Sequence, residues 1–202
     1  MAFPLVECIP NYSEGRRAEV IEAIVESIRS VSEVRILDQH SDADHNRSVI
    51  TLVGPPLAVS EAVFKSIAKA AQLIDMEKHE GAHPRIGAVD VVPFVPIRDI
   101  SMQECVHLAR GLGRRVGEEL GIPVYLYEEA ALVPERVNLE NIRKGQYESL
   151  KAEIERNPAR KPDFGPAKLG RAGATVIGAR EALIAFNVYL TTDDVSIAKA
   201  IA

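Results

Sequence analysis

The sequence predicts an α+β protein, a two-layer sandwich in which a mixed, antiparallel-containing sheet carries helices on one face. Its centre is expected to be a ferredoxin-like βαββαβ core with an added αβ extension. Three observations carry this reading. Apolar residues recur at helical spacing in some segments and in short β-branched runs in others, in the order β, α, β, β, α, β. The stretch Gln39 to Asn46 separates two of the β-branched runs and is too polar for core, so those runs form a hairpin. A further helical pattern and a further β-like run come after the sixth element and supply the extension.

Taken in order, Leu5 to Pro10 reads as a short buried strand. Asn11, Ser13 and Gly15 mark the turn into a helix whose apolar face is Val20, Ile21, Ile24, Val25 and Ile28. Val34 to Asp38 and Arg47 to Val53 are the hairpin strands. Gly54-Pro55-Pro56 opens the next helix, because proline is tolerated in a first turn. Val63, Phe64, Ile67, Ala71 and Ile74 supply its buried face, and it is expected to end near Lys78 to Gly81. Val89 to Val95 is the sixth element. Ser101 then caps a helix that Gly121 stops, and Pro123 to Tyr127 is one more strand. Leu139 to Arg156 is charged and partly helical with a break at Gly145, and Lys161 to Gly173 is a loop. Ala174 to Ile177 and Leu183 to Leu190 are β-like. Thr192-Asp193-Asp194 opens an amphipathic helix in which Val195, Ile197, Ala198 and Ile201 can pack. The expected division is one unit over residues 1–172 and the start of a second over 173–202, apparently truncated because the chain stops inside that helix.

Bulk properties exclude several classes. The 202 residues, 47% hydrophobic and 26% charged, suit an ordinary globular protein. A net charge of -5 argues against a general nucleic-acid surface. No apolar run approaches a membrane span, and the N-terminus lacks a basic start with an apolar signal core, so the cytoplasm is the expected compartment. Cys8 and Cys105 each lie in an apolar run and read as buried reduced thiols.

The segment from His79 to Asp90 holds the most chemistry. It spells H-E-x-x-H, a zinc-peptidase pattern that requires both imidazoles on one helical face. Gly81 weakens a helix there, and Pro84 biases His83 away from helical backbone. His83 is therefore expected in an extended, partly exposed loop beside a pocket, free to take and give a proton near neutrality. Arg85 has the geometry to hold a carboxylate. Two other polar clusters fall in loops: Asn11 to Gly15, whose plain reading is a helix cap, and Asp38 to Arg47, whose plain reading is a solvated hairpin loop. They follow different strands and need not be close. The Gly111 to Gly117 run imitates a dinucleotide fingerprint but sits inside a helical pattern without a preceding strand, so it is set aside.

These residues carry a detailed resemblance to the formiminotransferase family. Leu5 to Gly15 resembles the family's opening, and Asp44-His45-Asn46-Arg47-Ser48-Val49 its asparagine-arginine loop. Leu73 to Met76 with His83 to Asp90 resembles its catalytic segment. Val124 to Tyr127, Pro162 to Pro166, and Gly173 to Val176 through Ala185 to Asn187 extend the match. The resemblance implies transfer of a formimino group from N-formimino-L-glutamate to tetrahydrofolate, a step of histidine breakdown, with His83 as acid-base catalyst. It implies substrate and folate contacts at Asn46, Arg47, Arg85, Gly165, Pro166, Lys168, Gly170, Arg171 and Gly173, lining one concavity. It implies tetrahydrofolate as co-substrate and no metal. Formiminoglutamate and folate are the expected partners, a homodimer is left open, and neither nucleic acid nor a membrane is expected. The rival readings are a stand-alone or truncated subdomain acting as a non-catalytic binding or assembly module, and a zinc hydrolase.

Overall fold

The computed structural model describes residues 3–184 and 190–201. A 7-stranded mixed sheet carries the fold. The first strand is split into β1 (Leu5–Cys8) and β2 (Asn11–Tyr12), because Pro10 has no N–H to give the ladder. α1 (Ala18–Arg29) follows, then the hairpin β3 (Arg35–Asp42) and β4 (Arg47–Gly54), α2 (Pro56–Leu73) and β5 (Val89–Arg98). The order across this half is β3, β4, β1/β2, β5, with antiparallel neighbours throughout. That is the ferredoxin-like βαββαβ arrangement.

The extension is α3 (Met102–Glu119), β6 (Val124–Glu128), α4 (Leu139–Arg143), α5 (Gln146–Glu153) and β7 (Thr175–Ala179). β7 lies between β5 and β6 and runs parallel to both. Residues 175–179, expected to open a second unit, are therefore central strand residues of this same sheet. α6 (Val195–Ile201) carries no buried residue, and its apolar positions are exposed rather than packed. The β-like run expected over Leu183 to Leu190 falls largely on 185–189, outside the described residues.

Strand alternation decides what packs where. Val6, Cys8, Ile50, Leu52, Val92, Phe94, Leu126 and Ile177 point to the face covered by α1, α2 and α3 and are all fully buried. Val91, Tyr125, Tyr127 and Val176 point the other way and pack with Ile142, Leu150 and Ile154 from α4, α5 and the residue after α5. The extension is thus covered on both faces, while the outer face of β1 and β4 stays open. Glu7, Arg47, Val49 and Thr51 line that open face. With Tyr127, Arg143 and others they bound a groove of about 1150 Å³.

Local chemistry explains the boundaries. Ser101 caps α3 through a full capping box with Glu104, and Gly121 sits at φ +63 beyond its end. Gly117 allows that helix to meet the 164–165 backbone, since a Cβ there would lie 2.6 Å from the Gly165 nitrogen. α2 ends at Leu73, earlier than expected. Ile74 is already extended, and both it and Met76 turn into the core, which a continued helix would not allow. Cys8 and Cys105 are buried free thiols, and burial pushes the Cys105 thiol up to about 11. No helix among the described residues is long and apolar enough to cross a membrane.

Candidate active site

The polar clusters that lie far apart in sequence meet at one end of the sheet. Asn46 joins them. It follows the β3–β4 turn with φ 48, a left-handed conformation that asparagine tolerates. Its Oδ1 accepts from the Gly15 N–H at 2.9 Å, and its Nδ2 donates to the Glu80 carbonyl at 2.9 Å. Ser13 Oγ donates to the Gly87 carbonyl at 2.7 Å, and Ala82 N–H to the Asp44 carbonyl at 3.2 Å. Two glycines make the approach possible. A Cβ on Gly15 would stand 2.2 Å from the Asp42 carbonyl oxygen, and one on Gly81 2.3 Å from that of His45. Of Asn11 to Gly15, expected to cap α1, none caps it by a side chain; Glu14 instead fixes the turn that leads into the helix. Its buried carboxylate accepts from the N–H groups of Arg16 and Arg17, each at 2.9 Å.

His83 lies in the loop between α2 and β5, half-buried and not helical. Its Nδ1 lies 2.6 Å from the Pro84 carbonyl, and its Nε2 meets the Arg47 guanidinium. A guanidinium can only donate and a carbonyl can only accept. His83 is therefore the neutral tautomer with Nδ1 protonated and the Nε2 lone pair engaged by Arg47. Burial first, then the Arg47 and Arg143 charges, hold its pKa below the ordinary imidazole value. Arg47 also donates to Asn11 Oδ1. Arg47 lines a small pocket of about 10 Å³ with His83, His45, Asn46 and Asp90. It also lines the large groove. Its Nε is buried without a partner among the described residues.

The H-E-x-x-H pattern does not form a helical metal grip. Both nitrogens of His79 face protein groups: Nδ1 accepts from Arg85 Nε at 3.2 Å, and Nε2 donates to the Asn46 carbonyl at 3.1 Å. Among the described residues no group of three or more His, Cys, Asp or Glu is placed to hold a metal ion.

Arg85, expected to bind a substrate carboxylate, is held by protein groups. It is 8% exposed. Its guanidinium donates to Glu148 at 2.8 and 3.0 Å, to Gln146 at 3.2 Å and to the His79 carbonyl at 3.1 Å, besides the His79 ring. No N–H of that guanidinium is left over for a ligand. The loop expected to share a concavity with His83 is held by contacts of its own. Gly165 packs against Ile122 and Gly117, and Gly173 (φ +70) bridges to Gly87. Arg171 pairs with Asp75 at 3.0 Å, while Pro166, Lys168 and Gly170 are exposed. No residue from 165 to 173 lines the His83 pocket or the groove. The structure therefore unites Asn46, Arg47 and His83, backs them with Arg85, and leaves the 165–173 loop apart.

Two functional candidates escaped sequence reasoning. Asp90 is 3% exposed, accepts from the Ile86 N–H at 2.9 Å and contacts Arg143. Arg143, on α4, reaches across 53 positions of sequence to meet it. Asp90 carried a weak signal, a lone carboxylate inside an apolar strand. Arg143 carried none.

The family description "Formiminotransferase domain, N-terminal subdomain" matches residues 5–180. The chain is 54% identical over 200 residues to a glutamate formimidoyltransferase of Thermoplasma acidophilum, covering 98% of this chain and 66% of that protein. It is 50% identical to a glutamate formimidoyltransferase of Streptococcus pyogenes serotype M1 with the same coverage. It is 49% identical over 187 residues to a formimidoyltransferase-cyclodeaminase of Rattus norvegicus, covering 92% of this chain and 34% of that one. The chain thus spans about two thirds of the two transferases and about a third of the bifunctional protein. With its family match running through β7, the chain belongs to the formiminotransferase family.

Proposed function

We propose that this chain carries the acid-base centre of a formimino transfer from N-formimino-L-glutamate to tetrahydrofolate, giving 5-formimidoyltetrahydrofolate and L-glutamate. The observation that carries the reading is the His83 tautomer: its proton is committed to the Pro84 carbonyl through Nδ1, which leaves Nε2 as a base. A pKa below the ordinary imidazole value keeps that nitrogen unprotonated at neutral pH.

Attack of the folate N5 on the formimino carbon forms a tetrahedral intermediate, and N5 must shed its proton. His83 Nε2 accepts it, then returns it to the glutamate nitrogen as the carbon–nitrogen bond to that nitrogen breaks. One group performs both transfers. Arg47 has to leave Nε2 first. A substrate carboxylate is a stronger acceptor for a guanidinium than an imidazole is, so donor binding itself draws Arg47 away and uncovers the base. Arg143 adds positive charge on the same side. Lys168 and Arg171 remain proposed folate-tail contacts, and Asn46 orients the loop. Arg85 acts at one remove, by bracing. We place the end of the first unit after β7, the start of a second beyond it, and the protein in the cytoplasm.

The test is a transfer assay with formiminoglutamate at saturating tetrahydrofolate. His83→Ala should lower kcat by about 10²–10⁴-fold and leave folate affinity nearly unchanged. Undiminished transfer by His83→Ala would remove the histidine from the mechanism.

A further inference from the structure

We propose that His79 is a positioning residue that aims Arg47 at His83, an inference that rests on the catalytic reading of His83 just given. The geometry is a continuous chain of contacts from α5 to the catalytic ring. Glu148 and Gln146, on α5, hold the Arg85 guanidinium. Arg85 Nε donates to His79 Nδ1 at 3.2 Å. Arginine cannot accept, so this contact places the His79 proton on Nε2. That proton is donated to the Asn46 carbonyl at 3.1 Å.

Asn46 precedes Arg47 and sits at φ 48, off the usual backbone regions. Three bonds hold it there: the Gly15 N–H on Oδ1, the Glu80 carbonyl on Nδ2, and His79 on the backbone oxygen. The first two fix the Asn46 side chain. The third holds the carbonyl end of the Asn46–Arg47 peptide, the plane from which the Arg47 side chain departs, where Arg47 pairs with Asp42 at the start of β4. Arg47 then spans Asn11 and His83 Nε2. Loss of the His79 bond lets the Asn46 carbonyl tilt and shifts the Arg47 guanidinium off the ring.

The two histidines of the H-E-x-x-H segment therefore hold opposite tautomers. His79 carries its proton on Nε2 because Arg85 faces Nδ1. His83 carries its proton on Nδ1 because Arg47 faces Nε2. Each tautomer is set by an arginine, and the first serves to place the second. Burial and the Arg85 charge hold the His79 pKa below the ordinary value, which keeps the ring neutral and the relay assembled at neutral pH.

The experiment uses the full chain and two readouts. Long-range 1H–15N NMR of the histidine rings reports tautomer and titration for each ring without requiring turnover. In the wild type His79 should appear as Nε2–H and His83 as Nδ1–H. In His79→Leu the His83 titration should move up toward the ordinary imidazole value, since the Arg47 charge withdraws, and its single tautomer should become a mixture. His79→Gln places an amide donor where Nε2 stood and should restore the wild-type His83 signals. His79→Asn, whose amide is too short for the Asn46 carbonyl, should behave as the Leu variant, and it replaces that variant if leucine prevents folding. In the transfer assay the Leu and Asn variants should raise KM for formiminoglutamate about 10-fold, since a misplaced Arg47 meets the donor carboxylate poorly, with a smaller change in kcat, and Gln should recover it. Wild-type His83 titration and tautomer in a folded Leu or Asn variant overturn the proposal, as does a Gln variant as disturbed as the other two. If the NMR arm behaves as expected while His83→Ala retains full transfer, the positioning stands and the catalytic reading falls.

Discussion

Arg85 separates two roles by a stability measurement. Sequence chemistry makes it a carboxylate binder, whereas the structure makes it a brace whose guanidinium is fully engaged. Replacing it with alanine removes two bonds to His79, at 3.2 and 3.1 Å, each contributing about 1 kcal/mol. It also removes the bond to Gln146 at 3.2 Å, about 1 kcal/mol, and the ion pair with Glu148. That carboxylate is 64% exposed, so solvent screening limits the pair to about 1 kcal/mol. The total is about 4 kcal/mol, or roughly 8–16 °C in Tm for a chain of this size. Urea unfolding of the ligand-free protein measures it directly. Arg85→Lys keeps the charge but not the planar fork, and should lose about half as much. If Arg85→Ala instead unfolds within about 0.5 kcal/mol of wild type and only raises KM for formiminoglutamate, the brace is refuted and the residue belongs to the substrate.

Three further outcomes follow from the same geometry. The pKa values of His79 and His83 are both lowered in the folded state, so the unfolded chain binds more protons as pH falls. Their contribution is full above the ordinary imidazole value near 6.5 and is lost below it, by at most about 1.4 kcal/mol per pH unit per group; Tm read from pH 7.5 to 5 should fall, and should fall less steeply in the His79→Gln, His83→Gln double variant. The lowered pKa of Glu14, the carboxylate that holds the turn before α1, adds a second decline as pH drops through the ordinary carboxylate range near 4.5, and Glu14→Gln should flatten it in the same scan. Gly15→Ala drives a Cβ to within 2.2 Å of the Asp42 carbonyl, so it should destabilise by about 1–3 kcal/mol in urea and weaken the contact between the β3–β4 turn and Asn11 to Gly15, seen as amide shift changes at Asn46.

Periodicity made most of the fold legible. The face Val20, Ile21, Ile24, Val25 and Ile28 is buried as its spacing requires. Ser101 and Gly145 mark boundaries where their backbone chemistry puts them. Such features are local, since a helix face or a cap depends on neighbours within a few residues. The end of α2 was not local. Ile74 and Met76 leave the helix because the core beside β5 takes them, and no pattern in residues 70–80 reports that. The placement of β7 between β5 and β6 was equally hidden, because strand order is a property of the whole sheet.

The site divides in the same way. Glycine and proline beside His83 determine a non-helical histidine, and the family resemblance follows from residues read in order. The sequence by itself therefore determined which side chains are candidates for the proposed chemistry: His83, Arg47 and Asn46. Only the tertiary structure decided what each one touches. Arg85 and His83 are two residues apart and chemically suited to the same ligand. Yet Arg85 meets Glu148 on α5, and His83 meets Arg47 on β4, contacts spanning 63 and 36 positions. Hydrogen-bond partners at such separations are set by how elements pack. They alone determine which donor is engaged, which tautomer is held and which nitrogen carries no proton.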